Sequence, residues 1–501
     1  MNVAEKIAGK DLRSALEVCD SMGQLARIKR RVDPYYEIPN VIRTAGRQPE
    51  IPALMFENVE HYPGWRVGAS LVSHPLRTAA IYDLPANSME CKLRLMDLLD
   101  RPIPAVAVGS GPCKENVITR NIDLKATVPA THGALQSNHF YYQGPVVTKD
   151  FQSGKQNLAI YRTCVQGPDT VTVNGRWDRH FGLQLSDAKR DGRTMPVAII
   201  LGADPLWLMT AASKLPYGFD DWGLVGAIRG RPIEMVKCET SDLMVPANAE
   251  CIIEGEIRPP YAMGDDGPWP EYLGYLGMNI HPPLVHVTAI THRNNPVTTI
   301  FCPNASPEYY GYISAAQFLR HLRGFASSFV MDCTTHPATL HHHAVIKVRK
   351  TESHHEALQL NVALAAFGYG MELDRVTLVD EDIDIYNPSQ VEWAVATRCD
   401  ASKQVHILCN ARTHQNNPIA GVKEFDDQPI TKAKWIIDAT IPWKYRVAEK
   451  KPGITFFTRS QWNGLDLNEY FEPDDAARWV KTNDKGKILE GIMAPWSADK
   501  G

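Results

Sequence analysis

Between Gly144 and Asn174 the chain reads GPVVTKDFQSGKQNLAIYRTCVQGPDTVTVN. Three short β runs are legible in it, Gly144–Thr148, Asn157–Val165 and Val171–Asn174, set apart by turn-forming residues. The pattern continues downstream in Pro196–Leu201, Cys251–Ile257, Leu284–Thr291 and Val297–Cys302. So many short strands in one stretch predict a closed or sandwiched, β-barrel-like central domain over residues 111–310.

On either side the pattern changes. Residues 1–110 mix helix and strand signals: Asp11–Ala26 has helical spacing of Leu12, Leu16 and Met22, and Ala53–Asn58 reads as a strand. The Gly/Pro-marked VGSGPC, Val108–Cys113, suits a linker. Beyond it, in residues 311–501, a helix at Ser314–Phe325 is followed by strand Ala344–Val348, helix Glu356–Phe367, strand Arg375–Val379 and helix Gln390–Thr397. That order predicts an α/β carboxyl-terminal domain. The expected fold class is therefore α/β and α+β multidomain, with a central β-rich domain between an N-terminal α/β region and a C-terminal α/β domain.

Composition narrows the function classes. At 501 residues, 44% hydrophobic and 22% charged, the chain is too long for one core. Its 53 Lys plus Arg against 57 Asp plus Glu give a formal charge of −4 and no basic stripe, so nucleic acid is not an expected partner. The 10 cysteines are dispersed, with no C-x-x-C pair, and read as reduced, packed thiols. The first twenty residues lack a secretory stretch, and the longest apolar run, around Val197–Ala203, is too short to cross a bilayer. A cytoplasmic location without a membrane partner is the expectation. Neither G-x-x-x-x-G-K-[ST] nor G-x-G-x-x-G occurs, so a cofactor would use another cradle.

Three clusters could carry chemistry: Asn157 to Arg162 with His180 downstream; Asp220-Asp221-Trp222-Gly223; and Asp265-Asp266-Gly-Pro-Trp-Pro-Glu271. An amide oxygen, an imidazole and a carboxylate suit Mg²⁺ or Mn²⁺. Each also has a structural reading. His180 could be a hydrogen-bonded structural side chain, Asp220-Asp221 could cap a helix or close a turn, and Asp265-Asp266-Gly-Pro makes a good solvated turn. Arg162 is harder to dismiss: inside an apolar run it needs an anion, which Asp266 or Glu271 could supply. His341, His342 and His343 are adjacent, and successive strand residues alternate faces, so the three do not converge on one ion. Tyr309, Tyr310 and Tyr312 are either packing or substrate contacts. Asn157 and Arg162, five apart, would face opposite sides of a regular strand, so the segment must bend or the two must address different ends of a ligand.

At these residues the sequence resembles the UbiD family of prenylated-FMN-dependent decarboxylases, closest to the hydroxybenzoate (protocatechuate/gallate) branch. The resemblance runs through Gly111-Pro-Cys-Lys-Glu-Asn116, Asn157–Arg162 with His180, Val245–Glu250 to Glu254-Gly255, Gly267-Pro-Trp-Pro-Glu271 with Gly274-Tyr275, Val379–Asp384, Ala396-Thr-Arg398 and Ile437–Trp443. It implies reversible, non-oxidative decarboxylation of an aromatic or heteroaromatic acid through a covalent adduct with prenylated FMN. The metal ligands it implies are Asn157, His180 and Asp221 for Mn²⁺ (or Mg²⁺), with K⁺ near Ala211–Ser213 and Arg398. The catalytic residues fall on Arg162, Glu271 and Asp266, and the cofactor contacts on Asn157, Leu158, Ala159, Ile160, Tyr161, Arg162, Arg179, His180 and Asp221.

Asp221 and Asp266 stand where the family usually has Glu, one methylene shorter; across that gap a water could separate Asp266 from Arg162. Phe367-Gly-Tyr-Gly370 has no lysine where some members have one that reaches the flavin phosphate. As partners the resemblance implies an aromatic carboxylic acid, CO₂, a separate flavin prenyltransferase that supplies the cofactor, and a homodimer or higher homo-oligomer. Two other readings stand beside it: a carboxylase running the reverse reaction, and a noncatalytic subunit of a multi-subunit aromatic carboxylase. An ordinary flavin oxidoreductase would need a reductant, and no nicotinamide fingerprint is present.

Overall fold

A computed structural model describes residues 11–48, 50–132, 139–177, 179–277, 281–300, 302, 311–335, 341–370, 372–414, 417–420, 430–447, 457 and 469–474. The chain forms two compact units, one of residues 1–317 with 415–428, the other of residues 318–414 with 429–501.

The first unit is organised by a 10-stranded sheet. In chain order its strands are β1 (Asn116–Ile118), β2 (Thr131–His132), β3 (Phe140–Tyr142), β4 (Pro145–Lys149), β5 (Gln156–Ile160), β6 (Arg162–Gly167), β7 (Thr170–Asn174), β8 (Met195–Leu201), β9 (Cys251–Ile257) and β10 (Leu284–His292). They are hydrogen-bonded in the order β2-β3-β6-β7-β10-β9-β8-β4-β5, with β1 also on β10. Six inter-strand steps thus separate β5 from β6, which in a flat sheet would be roughly 29 Å at about 4.8 Å per step. Yet only Tyr161 joins them, and two Cα–Cα virtual bonds reach at most about 7.6 Å. The sheet must therefore curl until its β5 edge meets β6, which gives the barrel-like domain expected from the sequence. The same crossing supplies the bend required between Asn157 and Arg162.

Burial on both faces explains the near-continuous apolar strands. In β8, Val197, Ile199 and Leu201 join Phe181, Leu185 and Ala188 of helix α1 (His180–Asp191) in one core. The intervening Ala198 and Ile200 join Leu206 and Trp207 of the helix Pro205–Ala211, and Leu224 and Val225 of helix α2 (Asp221–Arg229), in another. Helix α1 thus lies on one face of the sheet and α2 on the other, and both begin near β5.

Three local expectations are corrected. Val297–Thr299 pairs in parallel with Arg66–Gly68, in a separate four-stranded sheet with Leu25–Ile28 and Ala53–Phe56, so it extends the N-terminal region rather than the central sheet. The first helix stops at Ser21, where Gly23, at φ 66°, turns the chain into the strand Leu25–Ile28. The VGSGPC segment is docked: Val108 N donates to Met235 O, and Cys113 N to Ala247 O.

The second unit carries a five-stranded sheet in the order Val330–Thr335, His343–Val348, Arg375–Val379, Thr431–Ala439, Val405–Arg412. Its three middle strands are parallel and both outer ones antiparallel to their neighbours. With the helices Leu358–Tyr369 and Pro388–Arg398 between strands, it is the α/β arrangement expected. Among the described residues no helix is long and apolar enough to cross a membrane.

Candidate functional site

The crossing at Tyr161 has a polar group on each side. On the β5 side, alternation sends Leu158 into the core with α2 and turns Asn157 to the face that carries α1. There Asn157 Oδ1 lies 2.7 Å from Nδ1 of His180, the first residue of α1. From the opposite face, the start of α2 divides its two aspartates. Asp220 is the N-cap, accepting from Gly223 N at 2.9 Å, and Asp221 accepts from Leu158 N on β5 at 2.8 Å. The structural and ligand readings of this pair thus fall on different residues.

Asn157, His180 and Asp221 line one small cavity together with Asp150, Gln184 and Tyr217. Burial pushes the Asp221 carboxyl up to about 7, with Asp220 adding and the Leu158 amide opposing. Burial, and after it the charge of Arg179, hold the His180 imidazole below its ordinary value and so in the neutral form that binds metals. Among the described residues no cation pairs with Asp221. A hard divalent cation fits this donor set of an amide oxygen, a neutral imidazole and a desolvated carboxylate. Among the described residues no three His, Cys, Asp or Glu side chains group as a metal site; the trio contributes two residues of those types plus an amide.

On the β6 side, alternation places Thr163 and Val165 towards the core face, and Arg162 with Cys164 on the other. Cys164, Tyr141 of β3 and Trp269 form a small buried cluster. The Tyr141 and Trp269 rings lie 4.3 Å apart, and the Arg162 guanidinium lies 5.9 Å from the Trp269 ring. Arg162 Nε donates to Asp266 Oδ2 at 2.7 Å, and Nη2 is also 2.7 Å from that oxygen. Nη1 donates to Glu271 Oε1 at 2.9 Å. The side chains are 9% (Arg162), 0% (Asp266) and 20% (Glu271) exposed.

The shorter aspartate therefore reaches the arginine directly, without an intervening water. Asp266 is followed by Gly267, whose φ of 103° no ordinary side chain adopts readily and whose N–H donates to Tyr141 Oη at 3.2 Å. Burial raises the Asp266 carboxyl against the pull of Arg162. Glu271 is raised by burial too, with Arg162 opposing and Asp266 adding.

The remaining expected residues scatter. Ala159 is half-buried and Ile160 exposed at the end of β5, the Tyr161 ring packs 5.1 Å from Phe181, and Arg179 is the N-cap of α1. Ala211–Ser213 close the helix Pro205–Ala211 in the first unit, whereas Arg398, in the second, is taken up by Asp380 and Asp382 at 3.1 and 2.5 Å. The three histidines diverge: His341 to Thr335, His342 to Asp374, and His343 to Thr377 and Arg375. Tyr312 meets Tyr82 edge-on; Tyr309 and Tyr310 lie outside the described residues. Sequence reasoning missed Tyr217, edge-on to His180 at 5.0 Å and donating to Asp150 at 3.0 Å, and Tyr141. Neither has a local signal, because each is brought in by a distant segment.

The curled sheet thus carries a buried carboxylate–arginine–carboxylate group on one side of the Tyr161 crossing and an amide–imidazole–carboxylate trio on the other. The chain belongs to the UbiD family: it matches the models of the 3-octaprenyl-4-hydroxybenzoate carboxy-lyase N-terminal domain over residues 16–91, the Rift-related domain over 105–305 and the C-terminal domain over 309–439. It is 32% identical to the UbiD-class enzyme HmfF from Pelotomaculum thermopropionicum, solved in complex with FMN, covering 92% of this chain and 100% of that one with a TM-score of 0.81. The 3,4-dihydroxybenzoic acid decarboxylase AroY of Klebsiella pneumoniae is 25% identical, with 94% and 100% covered and a TM-score of 0.80. A phenolic acid decarboxylase of Bacillus subtilis is 26% identical over 458 residues, 87% of this chain and 93% of its own.

Proposed function

We propose that this chain catalyses the reversible, non-oxidative decarboxylation of an aromatic or heteroaromatic carboxylic acid, with prenylated FMN as cofactor and Mn²⁺ or Mg²⁺ held by Asn157, His180 and Asp221. The observation that carries the reading is the arrangement of Asp266, Arg162 and Glu271. Of the five N–H donors of a guanidinium, Asp266 takes the one on Nε, with Nη2 at ion-pair distance, and Glu271 takes one on Nη1. N–H donors on both Nη are left to grip a substrate carboxylate bidentately, which in this reading fixes the reacting carbon in place.

Loss of CO₂ from an sp² carbon needs an electron sink that no side chain offers, and the flavin supplies it when bound. Glu271, raised by burial, holds a proton nearer to neutral pH than an exposed glutamate does. Its role in this reading is to deliver that proton to the carbon that has lost CO₂. Asp266 keeps Arg162 from swinging onto Glu271 alone. The relatives named for aromatic acids and for FMN support the substrate class and the flavin.

The test is Glu271→Gln in protein co-expressed with a flavin prenyltransferase. The variant should keep the flavin absorption of the wild type and lose turnover by at least about 100-fold. Near-normal turnover overturns the role of Glu271, and release of plain FMN from a fully active wild type overturns the cofactor assignment.

A further inference from the structure

Glu271 opens the turn of a small hairpin in which Trp269 pairs with Gly277 and Pro270 with Leu276. The turn is closed by Glu271 N donating to Tyr275 O and Gly274 N donating to Glu271 O, both at 2.9 Å. Its two glycines serve different needs. Gly274, at φ 86°, is required by the backbone. Gly277 is outside the positive-φ region, so its backbone would accept any residue.

What excludes a side chain at Gly277 is Glu271. A Cβ built there would stand 2.9 Å from Glu271 Cγ, 2.9 Å from Oε1 and 3.3 Å from Cδ, and these are its three nearest atoms. Oε1 is the same oxygen that accepts from Arg162 Nη1 at 2.9 Å. A methyl group fits only if the Glu271 side chain moves from Cγ outward, carrying the carboxylate with it.

We propose that Gly277 is a positioning residue: its missing side chain reserves the space in which the Glu271 carboxylate meets Arg162. The inference rests on Glu271 being the proton donor. Gly277→Ala displaces that carboxylate while leaving the fold, the cofactor pole and Asp266 as they were. A displacement of the order of 1 Å at a reacting group costs up to about 100-fold.

The experiment is a double-mutant cycle in flavin-loaded full-length protein, read as kcat, KM, flavin content and thermal midpoint. Gly277→Ala alone should lower kcat by about 10- to 100-fold, with KM within about threefold and an unchanged flavin spectrum. Glu271→Ala removes Cγ, Cδ and both oxygens, every atom that the new methyl would meet. In that background Gly277→Ala should change kcat by less than about threefold. Wild-type kcat in Gly277→Ala overturns the proposal, and so does an equal fold-loss in both backgrounds or a loss of fold that Glu271→Ala does not relieve. Full turnover in Glu271→Gln would instead remove the reading of Glu271 beneath it. An inactive Glu271→Gln beside a fully active Gly277→Ala removes the Gly277 proposal alone.

Discussion

Replacing Asp266 by asparagine keeps the volume and one acceptor oxygen opposite Arg162 and removes a single charge. With the charge centres about 4 Å apart and an effective dielectric of about 20, the Asp266–Arg162 attraction is roughly 4 kcal/mol. Part of this is offset in the native protein by the burial of Asp266, whose side chain is 0% exposed. Glu271 also stays on Nη1, so the guanidinium is not left bare. The expected net loss is about 2–3 kcal/mol, below the roughly 3–5 kcal/mol that follows when a buried charge loses its only partner. Expressed wholly in the chemical step, this lowers kcat by about 30- to 150-fold.

The pH profile carries the sign. The Asp266 charge helps to raise the Glu271 carboxyl. Without it, Arg162 favours the ionised form of Glu271, the donor loses its proton at lower pH, and the alkaline limb of kcat moves down the pH scale. The assay is product formation across the neutral range, normalised to bound flavin. A rate within about threefold of wild type, or an alkaline limb that stays in place or moves upward, refutes the reasoning.

Two further outcomes test the fold around the site. Gly202 has φ 67°, and a Cβ there would stand 2.0 Å from Val297 O; Gly202→Ala should cost more than about 2 kcal/mol and appear as a lowered unfolding midpoint with poor soluble yield. In the second unit, burial pushes the Asp374 carboxyl up, but hydrogen bonds from His342, Thr413 and Lys432 outweigh this and bring it from 3.8 down to about 2. A carboxyl depressed in the folded state stabilises above its unfolded value and loses that contribution as pH falls from 3.8 to about 2. Asp374→Asn should therefore remove about 2 kcal/mol near neutral pH and flatten the acid limb of unfolding followed by circular dichroism.

The elements legible in the sequence were those whose pattern is local. The strand–helix alternation from Ala344 to Thr397 and most β runs from Gly144 to Leu201 follow from periodicity and turn residues, and the structure has them; the run Asn157–Val165, which reads as one strand, is two, Gln156–Ile160 and Arg162–Gly167, broken at Tyr161. Arg162 announced its need for an anion because an unpaired guanidinium in an apolar strand is too costly to keep. What stayed hidden depends on partners far along the chain. Val297–Thr299 has the composition of a strand, but which sheet it joins is decided by Arg66–Gly68, more than two hundred residues earlier. Side-chain length is visible in the sequence, whereas the backbone position from which Asp266 reaches Arg162 directly at 2.7 Å is not. Local rules left Asp220-Asp221 between cap and ligand, and the fold uses one residue for each purpose.

The single residue between β5 and β6 also sets the dimensions of the site. Asn157 and Arg162 belong to one continuous segment, and five residues of extended chain span at most about 17 Å. Asn157 of the cation-compatible trio and Arg162 therefore cannot lie farther apart than this, with no loop between them to relax it. Leu158 locks one end through the Asp221 carboxylate, and Asp266 locks the other through the guanidinium. A ligand bridging both poles meets a site whose length is built before it arrives, so the entropy of arranging the two ends is spent in folding rather than in binding. Lengthening the side chain at 221 or 266 to glutamate would have to be absorbed by moving one of these locks, which is the physical reason to treat the two aspartates as matched to this backbone rather than as interchangeable with a longer carboxylate.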